Sequence, residues 1–165
     1  MSQKTKKPVG FAEHNHSDCF KLAVEAAESY CAKNGLKLTP VRLKVLTLLL
    51  EEHRALGAYT ILDRLRGSGF NSQPPVAYRA LDFLVKHGFV HRIERLNAFV
   101  ACNHPGESHL PEFMICRLCD KVAEAKTSIN KFKIGDVAIE TGFKIEQSIV
   151  ELEGVCSSCV EASQL

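Results

Sequence analysis

The sequence predicts an α+β protein of two modules: an N-terminal winged helix-turn-helix, then a small α/β module that carries paired cysteines. Three observations predict it. Helix-period patterns come first and end in a short pair of strand patterns, the order of a winged helix. Two Cys-x-x-Cys pairs then flank a strand–helix–strand pattern in the last third. Between the two regions the charge changes sign, from a net +6 over residues 1–101 to −4 over 102–165 within a total of +2. The basic half suits nucleic acid as a partner.

The 165 residues suit one domain or two small ones. With 45% apolar and 24% charged residues the chain is too apolar to be disordered. No run approaches the roughly 20 apolar residues of a membrane helix, so no membrane partner is expected. No apolar segment follows the basic start, so no secretory signal is read and a cytoplasmic protein is expected.

Residues 1–17 are polar and aperiodic and read as a flexible tail. Asp18 is an N-cap type, and Phe20, Ala23, Ala27, Tyr30 and Cys31 follow at helical spacing up to Gly35. Thr39-Pro40 places a capping hydroxyl before a proline at the first helical position, with a helix running to about His53. A short helix fits Tyr59 to Arg66. The next begins at Pro74-Pro75 and ends at Gly88, with Ala77, Leu81, Leu84 and Val85 as its buried stripe and Arg79, Asp82 and Lys86 opposite. FVHRIE and NAFVAC, split at Arg95-Leu96, form a hairpin that closes the first module near residue 101. EFMIC and KVAEA are short strands around the first cysteine pair. Thr127 to Thr141 reads as a helix, FKIEQSIVEL as a strand, and residues after Cys159 as a short tail.

Seven cysteines without a secretion signal argue against a disulfide framework. Cys116, Cys119, Cys156 and Cys159 form two Cys-x-x-Cys pairs with 36 residues between them. Two such turns supply the four thiolates of a closed, structural zinc site, with no open position for catalysis. Two redox-active pairs are the competing reading. Around the module junction lie His91, Cys102, His104, His109 and Glu124, all zinc-ligand types. Taken singly each reads as well as a surface histidine or a buried small cysteine, and spacing alone does not choose. His14, His16 and Cys19 are further ligand types in the tail, where ordering the chain would oppose chelation.

On the Pro74 helix, Arg79 and Lys86 are seven apart and share the exposed face. Arg79 suits a guanine fork in the major groove. Tyr78 reads either as a DNA contact or as core, and Lys86 as a DNA contact or a solvated charge. Arg42 and Lys44 are expected near phosphates.

The pieces LTPVRLKVL, AYTILDRLR and AYRALDFLVKHGFVHRIE, followed by the pairs at Cys116 and Cys156, resemble the ferric uptake regulator family over about residues 20–160, and within it the zinc-sensing branch. The resemblance implies a winged helix joined by a hinge to an α/β dimerisation domain, in a homodimer on double-stranded operator DNA. It implies two zinc ions per chain. The structural one falls on Cys116, Cys119, Cys156 and Cys159, and the regulatory one on His91, Cys102, His109 and Glu124, where it fixes the interdomain angle. It adds Tyr59 as a DNA contact, and implies zinc-dependent repression of zinc-acquisition genes. An iron- or peroxide-responsive member is the alternative. The single histidine in PGESHLPEFMIC and the thiolate of Cys102 disfavour iron. Val76 stands where the family has threonine, and Asp120 where it has glycine. The histidine-rich tail of some members is absent.

No enzyme is expected. A zinc deaminase needs H-x-E and a proline before its Cys-x-x-Cys. No histidine here has glutamate two residues on, and Ile115 precedes Cys116. No small organic ligand is expected.

Overall fold

The computed structural model describes residues 16–51, 54–105, 109, 111–125, 131–146 and 148–162. His14 and His53 lie outside them, as do Glu52 and the span 126–130. The chain runs α1 (His16–Lys33), α2 (Pro40–Leu50), β1 (Leu56–Gly57), α3 (Ala58–Gly67), α4 (Pro74–Lys86), β2 (Val90–Ile93) and β3 (Ala98–Ala101). It continues as β4 (Glu112–Cys116), β5 (Val122–Ala125), α5 (Lys131–Thr141), β6 (Val150–Gly154) and α6 (Ser157–Ala162). Among the described residues, no helix is long and apolar enough to cross a membrane.

The chain is already helical at His16, inside the span expected as a tail, so Asp18 lies within α1. At α2 the hydroxyl of Thr39 accepts the Arg42 N–H at 3.4 Å, ahead of Pro40 in the first turn. The helix ends at Leu50, short of His53, where Glu51 N–H donates to the Thr47 carbonyl. Helix α4 buries Ala77, Ala80, Leu81 and Leu84. Val85 was expected in that stripe but is 38% exposed. At 100° per residue it falls about 90° from the stripe's centre, which Ala80 shifts away from it. The helices bury their stripes together with Phe89, Val90 and Phe99 of the hairpin, in one core with Ala27, Val45, Ile61 and Leu65.

The hairpin gains a third strand. Sheet order is β1-β3-β2, because Leu56 and Gly57 pair antiparallel with Phe99 and Ala98. Its turn spans Glu94 to Asn97, with Asn97 at φ 45°. The second sheet has the order β5-β4-β6, antiparallel on one side and parallel on the other. Strand β6 is shorter than the expected FKIEQSIVEL and begins at Val150. Among the described residues its strand partner is the five-residue β4, whose first residue, Glu112, already pairs with Val150. The second cysteine turn runs into the short helix α6, which takes in residues 160–162 where only a tail was expected after Cys159. A smaller apolar cluster joins the two sheets: Ile93 and Val100 pack with Phe113, Ile115 and Val122.

Candidate metal centre

The two cysteine turns converge at one end of the second sheet. Strand β4 delivers Cys116 at its last residue, opposite Gly154 of β6, two residues before Cys156. The turn after Cys116 closes with Asp120 N–H donating to the Cys116 carbonyl at 3.0 Å. Asp120 sits at φ 56°, the left-handed region. Glycine would meet that conformation without strain, and a short polar side chain is among those that tolerate it. On the other side the start of α6 folds Cys159 back, its N–H donating to the Cys156 carbonyl at 3.0 Å.

The four sulfurs lie within 4.8 Å of one another. Cys119 Sγ and Cys156 Sγ are 3.8 Å apart. Four tetrahedral bonds of about 2.3 Å place sulfurs about 3.8 Å apart, so the set fits zinc. The electrostatics agree. Burial opposes ionisation of Cys116, but the N–H groups of Cys156, Leu118 and Cys119 aimed at its sulfur outweigh that and bring it down to about 6. Burial pushes the Cys119 thiol up. Hydrogen bonds with the Cys156 and Cys119 sulfurs push Cys159 up to about 12. Thiols packed this closely resist ionising together unless a cation supplies the opposing charge.

The second set draws on both modules. Strand β2 carries His91, and Cys102 follows β3 with its N–H bonded to the Phe89 carbonyl at 2.9 Å. Glu124 lies on β5 opposite Phe113, and His109 on the segment between the sheets. The donor atoms of His91, Cys102, His109 and Glu124 also lie within 4.8 Å of one another. Cys102 Sγ is 3.6 Å from His109 Nε2, and His91 Nε2 is 3.3 Å from Glu124 Oε1. Ligands bound tetrahedrally at about 2.3 Å for sulfur and 2.0–2.2 Å for nitrogen and oxygen would be about 3.6 and 3.4 Å apart. His109 Nε2 and Glu124 Oε1 are closer, at 2.7 Å, as a direct hydrogen bond requires.

Two further observations point to a cation. Among the described residues, His91 Nε2 is buried with no hydrogen bond of good geometry, although it faces Glu124 Oε1 at 3.3 Å. Burial pushes the Glu124 carboxyl up, but the His91 side chain, the Asn103 N–H and the charges of His91 and His109 outweigh it and hold it below the ordinary carboxylate value. The Asn103 N–H, 2.8 Å from Oε2, orients that carboxylate from the hinge backbone. Nothing in the sequence pattern marked Asn103, because the contact is main-chain. His104 stands beside the set, its ring 5.8 Å from that of His109 and its N–H 3.3 Å from Cys102 Sγ.

The candidate DNA-contacting residues are on the surface. Tyr59, at the start of α3, is 71% exposed, and Tyr78 is 43% exposed, so neither is a core residue. Both line a cleft of about 870 Å³ with Lys86 and Arg92. Arg79 is exposed on the α4 face that carries Lys86. Arg42 stacks over the Phe83 ring at 3.6 Å and donates to the Lys37 carbonyl, which gives it a structural role beside any phosphate contact.

The profile of the ferric uptake regulator family matches residues 33–153. A zinc uptake regulation protein of Escherichia coli K12 is 38% identical over 136 residues, 82% of this chain and 80% of its own. A zinc uptake regulator solved with zinc and DNA superposes with a TM-score of 0.84 at 35% identity, over 88% of this chain and 98% of its own. The holo form of XcZur superposes at 0.77 with 36% identity, over 89% of this chain and 99% of its own. Its apo form reaches only 0.51 with 37% identity, over 87% and 99%.

Proposed function

The chain belongs to the ferric uptake regulator family, and from that premise we propose that it is a zinc-responsive, DNA-binding repressor of zinc-uptake genes, acting as a homodimer in the cytoplasm. One observation carries this reading: His91, Cys102, His109 and Glu124, drawn from both modules, bring their donor atoms within 4.8 Å. The similarity to zinc uptake regulators supports zinc as the metal, and the mixture of imidazole, thiolate and carboxylate suits it. The protein is not an enzyme. Two zinc ions per chain are proposed, one held by the four cysteines as a structural centre and one by the mixed set as corepressor.

The modules divide the work. Residues 18–101 carry the winged helix and residues 102–165 the dimerisation module. Val137, Ile139, Phe143 and Leu152 of the second module are exposed apolar residues of the kind a partner subunit covers. In the dimer, two copies of α4 face successive major grooves when the interdomain angle is right. Arg79 reads a base edge, while Lys86, Tyr59 and Tyr78 hold the backbone or a thymine methyl. Zinc would be held by His91, Cys102, His109 and Glu124 and would supply the positive charge that draws donors of both modules together. His91 brings the wing to that set, Glu124 brings the second sheet, and Cys102 and His109 bring the two ends of the connecting segment. The Asn103 N–H keeps the Glu124 carboxylate turned toward its partners. The better superposition on the holo than on the apo form of XcZur supports an arrangement near the metal-loaded one.

The test is DNA binding titrated against zinc, iron and manganese at buffered free-metal levels. Zinc alone should promote operator binding in its buffered range. An equal or stronger response to iron or manganese would favour an iron- or peroxide-responsive regulator.

A further inference from the structure

The tip of the wing is tied to the second sheet by carboxylates that neither metal set uses. The N–H groups of Glu94 and Arg95, consecutive donors in the hairpin turn, donate to Glu151 Oε1 and Oε2 at 2.7 and 3.1 Å. The Arg95 guanidinium pairs with Glu153, two residues further along the same face of β6. The turn itself is braced. Asn97 N–H donates to the Glu94 carbonyl at 3.1 Å, and Arg92 donates to Asn97 Oδ1 at 3.1 Å.

Successive turn amides lack a ladder partner and form a concave donor pair suited to an anion. One carboxylate satisfies both, and bonds to an ionised acceptor are roughly twice as strong as neutral ones. The half-exposed Arg95–Glu153 pair adds little alone, so the weight falls on Glu151. Its position matters most. The mixed metal set reaches the wing from β5, one edge of the second sheet, and Glu151 reaches it from β6, the other edge. One attachment lets the wing pivot about it. Two attachments at opposite edges, with the cluster of Ile93, Val100, Phe113, Ile115 and Val122 between the sheets, fix its orientation.

We propose that Glu151 is a positioning residue for DNA binding: it clasps the wing turn and holds the winged helix at the DNA-competent angle, independently of the mixed metal set. The proposal rests on the zinc-responsive reading for its functional consequence, not for its geometry. By narrowing the angles that the wing samples, the clasp raises the fraction of molecules competent for zinc and DNA, and so tightens both.

The experiment compares wild type, Glu151→Ala and the control Glu161→Ala, on α6, as dimers with the four-cysteine zinc retained. Amide exchange of Glu94 and Arg95 reads the clasp. Residual dipolar couplings from residues 16–101 and 111–162 read the angle between modules. Operator affinity at saturating zinc reads the consequence. In Glu151→Ala the two amides should exchange faster, the two modules should no longer share one alignment, and the operator dissociation constant should rise about 5-fold or more. The control should match wild type. Unchanged alignment and affinity in Glu151→Ala would overturn the proposal, even with faster exchange. Should the alanine variant fail to dimerise, Glu151→Gln keeps the side-chain volume while losing the charge and one acceptor, and is judged by the same outcomes. A wild type without zinc-dependent operator binding would refute the proposed function, while the couplings would still decide the clasp.

Discussion

His91 and Glu124 meet across the two modules: Nε2 of a histidine on strand β2 of the wing stands 3.3 Å from Oε1 of a carboxylate on β5 of the second sheet. Glu124 is also held by the Asn103 N–H, so one carboxylate touches both the wing and the hinge. A metal ion held at that point would act on domain orientation directly.

Replacing Cys156 with serine should remove one zinc per chain and unfold the second module. Cys156 Sγ is 3.8 Å from Cys119 Sγ, and its own N–H points at Cys116 Sγ from 3.3 Å, so its loss disturbs both halves of the set. Structural zinc supplies about 10–16 kcal/mol of apparent binding energy in small metal-folded domains. Metal content and sedimentation check it. A variant with full zinc and an intact dimer would remove the structural assignment.

Asp120→Gly should keep that zinc and be neutral or stabilising, because φ 56° costs an L-residue energy that glycine avoids. Asp120→Val should destabilise by about 1–2 kcal/mol, the typical cost of left-handed backbone. Thermal unfolding of both variants tests the order glycine, aspartate, valine.

Arg79→Ala should erode discrimination between operator and random DNA by about 1–3 kcal/mol, the worth of a bidentate base contact. Lys86→Ala should weaken both evenly and reduce the salt slope by about 1, as a phosphate contact does. Binding measured on both DNAs across a salt series separates the two roles. Unchanged specificity in Arg79→Ala would end its assignment as a reader of bases.

His87, at the end of α4, lies 3.4 Å from the Tyr30 hydroxyl. Burial, then the charges of Lys86 and Arg42, hold it below the ordinary histidine value. The unfolded chain therefore takes up the proton first as pH falls. Stability is whole above about 6.5 and is lost as pH drops from there through the folded value. His87→Gln should lose less stability over that interval than wild type, and Lys86→Ala should move the His87 midpoint upward. Denaturant unfolding and an NMR titration of the imidazole check the two statements.

Much of this was legible in the residues. Thr39-Pro40 announced α2, the paired cysteines announced one metal set, and the hairpin pattern announced the wing. Strand β1 escaped because two residues, Leu56 and Gly57, carry no period; only their pairing with Phe99 and Ala98 makes them a strand. Strand β6 was drawn too long because alternation in FKIEQSIVEL continues past the end of its partner β4. The mixed metal set was ambiguous from spacing, since its members come from two modules and only the fold brings them together. Glu151 left one faint signal, a carboxylate at alternate positions of VELEG with Glu153. Its target, the turn amides of Glu94 and Arg95, has no side-chain signature at all.

The central claim is that the mixed set senses zinc, and operator binding against buffered free zinc tests it most directly in wild type, Cys102→Ser and Glu124→Ala. A serine hydroxyl stays protonated where a bound thiol ionises, and alanine removes the carboxylate that the second sheet contributes. Both variants should stay folded and dimeric with the four-cysteine zinc in place, and both curves should shift to higher free zinc, since three remaining ligands still hold the ion weakly. Curves that overlap wild type would contradict the account and move the sensing site away from His91, Cys102, His109 and Glu124.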